Sequence, residues 1–370
     1  MTDRPDSITR RQTLAAILAA GMAPALARGA RAEMADFGTF NAGYGAQIVL
    51  PAFDNLNAAT TSFAAQVDTF ATAPDEAGLE VLKNGFGDIA DAWAASQQFR
   101  IGALAQEQRS ERFAYWPERR NIVEKQLHSL LGVKGGEGLA AGEFAAGSVA
   151  IQGLPALERI LFGEDDGRDL LKGDMSGRRR AVLAAIAHNL NAIAQETKSV
   201  WSANLKIPAK AASIFAANPE EGTAQSYTNL LTIMQIVAEQ KTGATLGGAD
   251  AASAKPKAAE QWRSGRSMRN ILINLATARR SVLDNGGFAE LLGVGRTDLK
   301  QSLAKAFDDA IAAAEAVGGN LPDAVSHPEK RKSVTDFLVK VNHLRDLLRQ
   351  QVPPAIGITL GFNELDGDGS

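Results

Sequence analysis

The chain has no cysteine in 370 residues. That absence removes disulfides, thiolate zinc sites, iron–sulfur clusters and covalently attached haem at once. It also closes the lipoprotein route to a membrane, which needs a cysteine at the cleavage point. Histidine is nearly as scarce, with only His128, His188, His327 and His343. None has a second histidine three or four residues away, so no helix offers a paired-imidazole metal face. Valine, isoleucine, threonine and the few aromatics nowhere alternate over a strand-length window. Walker loops, H-E-x-x-H zinc helices and G-x-S-x-G nucleophile elbows are missing too. Gly293-Val294-Gly295 begins like a dinucleotide fingerprint but lacks the third glycine and a preceding strand, and reads as a turn between helices.

What is present begins with the first 32 residues. Arg10-Arg11, with Leu14 three residues after the second arginine, precedes a short apolar run and then Ala30-Arg31-Ala32. This is a charged region, an apolar region and a small-x-small cleavage site, in the twin-arginine variant. The apolar stretch from Thr13 to Ala27 falls short of the ~20 residues that span a bilayer. The expectation is a signal peptide over 1–32, cleaved after Ala32 or alternatively after Ala27, and a protein free in the periplasm. No later apolar run reaches spanning length. Removal of the signal leaves 34 basic and 40 acidic residues, a net charge of −6. An acidic surface repels phosphate backbones, so nucleic acid is not the expected partner.

Helical periodicity dominates the rest. One apolar face runs through Leu183, Ile186, Leu190, Ile193 and Trp201, with Thr197 in the gap. Others run through Leu82, Phe86, Ile89, Trp93 and Ser96; Tyr227, Leu230, Met234 and Val237; Met268, Ile271, Leu275 and Val282; Leu299, Leu303, Phe307, Ile311 and Ala314; and Val334, Phe337, Val341, Leu344 and Leu348. Abundant alanine favours helix and close helix approach. The predicted class is all-α, as two up-and-down helical-bundle domains packed together. The first would cover 33–205 and the second 206–370. Glycine-rich or polar breaks are expected over 132–147, 163–177 and 242–257, the last as an exposed connection.

One segment is more specific. In Gln152-Gly153-Leu154-Pro155-Ala156-Leu157-Glu158 a glycine and a first-turn proline open a short helix, and Glu158 follows a turn later near the positive end of its dipole. The carboxylate is either functional or a dipole-complementing surface group. With Leu161-Phe162-Gly163, the segment resembles the G-x-H-x-x-E signature and apolar ending of the imelysin-like family. Further pieces in matching order are Val49-Leu50-Pro51, Trp93, Trp116-Pro117-Glu118-Arg119-Arg120, Trp262-Arg263-Ser264-Gly265-Arg266-Ser267 and Leu360-Gly361-Phe362-Asn363. The resemblance implies two helical bundles, an envelope location, a link to iron acquisition, and a metal or peptidase site at the signature. Here Pro155 stands where the family has its histidine, so the imidazole is gone and one carboxylate makes no tight transition-metal site alone.

The expectation is therefore a non-catalytic binding or accessory protein of iron or other metal uptake. A structural envelope partner, or a binder of a small organic or acidic ligand without metal, is the alternative, and a metallopeptidase stands further off. Candidate binding residues are Gln152, Gly153, Pro155 and Glu158, with Trp116, Arg119, Trp262 and Arg266 framing a junction between bundles. Glu158 is the candidate ligand for iron or another divalent cation. The aromatic and arginine positions read equally as core tryptophans with snorkelling arginines.

Overall fold

Each apolar stripe finds a facing stripe to bury against, and helices form accordingly. The computed structural model describes residues 36–361 apart from 101, 134, 136, 207–217 and 294. The expected signal peptide, 1–32, lies outside them. Among the described residues there is no strand, and no helix is long and apolar enough to cross a membrane.

Helix α1 (Phe37–Tyr44) leads through a π-helical turn, Gly45–Val49, into α2 (Leu50–Thr72), followed by α3 (Glu76–Ser96). Four short helices come next: α4 (Arg109–Phe113), α5 (Ile122–Gly132), α6 (Ala141–Ala146) and α7 (Leu154–Leu161). The long α8 spans Ser176–Lys206. Helix α9 (Pro219–Gln235) runs directly into a second π segment, Ile236–Gly243. The remaining long helices are α10 (Ser267–Leu283), α11 (Thr297–Val317) and α12 (Pro328–Gln350). Starts are chemically marked: Asp75 caps α3 by accepting the Gly78 N–H at 2.7 Å, and Asn218 accepts from Glu221 before Pro219 opens α9.

The faces read from periodicity are buried. Leu183, Ile186, Leu190, Ile193, Thr197 and Trp201 of α8 all lie in the core, as do Val334, Phe337, Val341, Leu344 and Leu348 of α12. On α11 the stripe turns slightly, so that Ala310 is buried and Ile311 only half-buried. The stretch 242–257 is a connection without buried residues only from Gly247 onward, and its first five residues differ. Thr242 is buried at the end of the π segment and its hydroxyl donates to the Val237 carbonyl at 2.8 Å, five residues back. Irregular chain begins only at Gly247, where φ is +71° and a Cβ would sit 2.0 Å from the Ser253 carbonyl oxygen.

The helices gather in two groups. Helix α2 packs between α3 and α8, and α11 packs between α10 and α12. Helix α3 against α10 joins the groups. Helix α1 crosses between them: it lies on α9, where Asn41 donates to the Pro219 carbonyl at 2.8 Å and accepts from Thr223 at 2.7 Å. Phe40, Tyr44, Tyr227 and Phe288 form one aromatic cluster there. The described residues from Asp36 onward form a single compact unit.

Candidate functional site

Helix α7 is buried on every side except at Pro155. It can start where it does because residue 153 is glycine. A Cβ there would meet the Phe113 carbonyl oxygen at 2.0 Å and that of Arg112 at 2.6 Å, both backbone atoms at the end of α4. Gln152 locks this start. Its Oε1 accepts from Arg112 Nε at 2.8 Å, its amide donates to the carbonyls of Gly147 (3.0 Å) and Ala145 (3.2 Å), and its own carbonyl accepts from Asn189 at 3.1 Å. Gln152 and Gly153 therefore build the turn and are not among the walls of the two cavities described below.

Glu158 is 3% exposed, so it is not a surface dipole partner. Its Oε1 accepts the Ser264 backbone N–H at 2.9 Å and the Ser264 hydroxyl at 2.8 Å. Burial pushes its pKa above the ordinary carboxylate value, outweighing the two Ser264 bonds and the charges of Arg263 and Arg159. The neighbouring Arg159 is committed elsewhere. It binds Glu118 at 2.7 Å, Glu124 at 2.9 Å and Asn121 at 2.9 Å. Glu118 in turn accepts the Val123 N–H at 2.8 Å and so caps α5.

Facing α7 is the segment 257–266. Its anchor is Glu260, which forms a buried ion pair with Lys241 at 2.7 Å. The ammonium also donates to Gln97 (2.9 Å) and Asn274 (2.7 Å), so its three N–H bonds are all used. Gln97 and Asn270 donate to the Glu260 carboxylate at 3.0 and 2.8 Å. Burial alone would raise Glu260, yet the Lys241 charge and these amides hold it below the usual carboxylate range. Lys241 lies in the π segment, on the face that continues from Tyr227, Leu230, Met234 and Val237.

Between α7 and this segment lies a cavity of about 260 Å³. Pro155, Glu158, Trp116, Glu118, Trp262 and Arg263 are among its walls. The Arg263 guanidinium lies 4.3 Å from the centre of the Trp262 ring and Lys257 Nζ 5.5 Å from it. A second cavity, about 460 Å³, adjoins across Tyr115-Trp116-Pro117 and is lined by Trp93, Arg119 and Lys241 among others. Of the expected frame, Trp116 borders both cavities, Trp262 the first and Arg119 the second. Arg266 borders neither; it is paired with Asp91 of α3.

The donor set does not suit a transition metal. Pro155 supplies no side-chain donor, Glu118 and Glu124 are both engaged by Arg159, and Arg263 adds a positive charge beside Glu158. All four histidines are exposed, and none lines the cavity. Among the described residues no cluster of three histidine or acidic side chains could hold a metal ion. Arg159, Lys241, Glu260, Arg263 and Ser264 complete the site beyond the residues expected. Of these, Lys241 carried a signal in the periodicity, falling at apolar-face spacing after Tyr227, Leu230, Met234 and Val237, and Arg263 and Ser264 stand within the Trp262–Ser267 piece of the resemblance.

A family model described as imelysin matches residues 49–351. An imelysin-like protein from Psychrobacter arcticum 273-4 is similar in structure with a TM-score of 0.73 and 21% identity, over 88% of this chain and 97% of that one. A protein from Parabacteroides distasonis ATCC 8503 assigned as an iron-regulated protein A precursor is similar with a TM-score of 0.64 and 17% identity, over 87% and 97%. No curated protein sequence matches significantly.

Proposed function

Since the chain belongs to the imelysin family, we propose that it is an exported, non-catalytic binding protein of bacterial iron acquisition that holds a small organic ligand in the Glu158 cavity. The observation that carries this reading is the cavity itself. At about 260 Å³ it is smaller than the usual 300–1,000 Å³ of drug-sized sites, which suits a metabolite better than a peptide. It is walled by two tryptophans, and one Glu158 oxygen is held by Ser264 while Oε2 makes no hydrogen bond. Peptide hydrolysis needs a Lewis acid or an activated nucleophile. The side chains around Glu158 supply neither, which favours binding over cleavage. The iron link rests on family membership and on the similarity to a protein assigned as iron-regulated.

Native mass spectrometry of the chain isolated from the cell envelope tests this. A small-molecule adduct is expected on the wild type and should be lost from Trp262→Ala. A stoichiometric transition metal that Glu158→Ala removes, together with casein cleavage, would replace the binder with a metallopeptidase. Export is tested by Arg10→Lys with Arg11→Lys, which should leave the unprocessed chain in the cytoplasm.

A further inference from the structure

The ligand class follows from which charges around the cavity are already answered. Glu118 and Glu124 are paired with Arg159, and Glu260 is paired with Lys241. Two cations remain. Among the described residues no carboxylate lies within ion-pairing distance of Arg263 or Lys257, and neither side chain donates a hydrogen bond. Both lie over the ring of Trp262. A guanidinium laid on an aromatic face keeps its N–H edges free and loses little further freedom when it binds. Burial, and after it the nearby Arg159 charge, lowers the Arg263 pKa, while the Glu158, Glu118 and Glu124 charges pull it the other way.

Resting on the reading of this cavity as a small-molecule site, we propose that the ligand is an organic carboxylate, seated on the Arg263 guanidinium where it lies over Trp262. An Arg263 fork matches a carboxylate in two parallel N–H···O bonds. Lys257 adds positive potential at the same ring, and Trp116, Trp262 and Pro155 offer apolar walls to the ligand's carbon skeleton. Glu158 faces the same space as a like charge and sets a limit on how anionic the occupant can be. The carboxylate could arrive free or as part of an iron chelate, and both present the same group to Arg263.

The test is calorimetric titration of the full mature chain with benzoate, benzamide and benzylamine, and with citrate in the absence and presence of equimolar ferric iron. Benzoate or citrate should bind, and the two citrate arms separate the free acid from the chelate. Arg263→Met should weaken that binding at least tenfold, the scale of one charged hydrogen bond, with Arg263→Lys between. Glu158→Gln should tighten it severalfold by removing the like charge. Thermal melts of the unliganded variants check that each is folded. The carboxylate assignment is overturned if benzamide binds as well as benzoate, or if benzylamine or iron alone binds best and Glu158→Gln abolishes that binding. If no carboxylate binds yet a native adduct is recovered from cells, this assignment fails alone. If no adduct of any kind is found, the ligand-binding reading fails with it.

Discussion

Glu158 is a carboxylate in a place that disfavours its charge. It is almost fully buried, and only one of its oxygens is hydrogen-bonded. Burial is the largest influence on its pKa and moves it upward. A carboxyl whose folded pKa lies above its unfolded value of about 4.3 binds a proton more tightly in the native state. The stability this contributes is fully present below that unfolded value and is lost as pH rises through the folded pKa. Glutamine keeps an oxygen to accept from Ser264 and does not titrate. Glu158→Gln should therefore melt close to wild type at pH 4 and above it at pH 7. Scanning calorimetry at both pH values decides; a variant less stable than wild type at pH 7, with an unchanged pH slope, would mean the carboxylate is net stabilising. The residue types of this site were largely visible beforehand: Gly153, Pro155, Glu158, Trp116 and Trp262. The role of Ser264 was not, because a hydrogen bond spanning 106 residues leaves no periodicity to read.

At the level of elements, the helices were legible because 3.6-residue spacing and burial are the same fact seen twice. At the π segment 236–243 i→i+5 bonding replaces i→i+4, and Lys241 and Thr242 are both buried within it. The glycine-, alanine- and lysine-rich composition from 242 onward reads as an exposed connection; Thr242, Thr245 and Leu246 are buried, and the connection begins at Gly247. The π segment does one structural job: its lysine holds Glu260, and Glu260 holds the strap carrying Trp262, Arg263 and Ser264 against α7. Removing one member of a buried pair leaves the other charge without compensation, at a cost of about 3–5 kcal/mol. Lys241→Met should be destabilised on that scale, while Lys241→Met with Glu260→Gln should recover most of the loss, since Gln97 and Asn270 can still bond a neutral amide. Urea denaturation of the two single variants and the double variant measures the coupling. A double variant as unstable as Lys241→Met would show that the pair contributes nothing beyond side-chain packing.

Over the whole molecule, chain order and spatial order part company. The sequence suggests two bundles divided at 205/206, from the gap in periodicity after α8. The described residues do gather around α2 and around α11, yet α1 belongs with helices far along the chain: Asn41 bonds Thr223 across 182 residues, and Tyr44 meets Phe288. Such pairings cost loop-closure entropy that no local pattern advertises. A polar seam also crosses between the groups, from Gln97 at the C-terminal cap of α3 through Lys241 and Glu260 to Asn270 and Asn274 of α10. If either group unfolded by itself, it would leave Lys241 or Glu260 beside a half-open seam and strip the aromatic cluster from α1. Those losses oppose a half-folded intermediate and couple the two groups. Differential scanning calorimetry of the mature chain should give one transition, with calorimetric and van't Hoff enthalpies in agreement. The same transition should move to lower temperature as a unit in Asn41→Ala, because that side chain fastens the first helix to the second group. Two resolved transitions in the wild type, of which Asn41→Ala shifts only one, would show instead that the bundles are thermodynamically separate and that the cavity between α7 and the 257–266 strap opens whenever the weaker one melts.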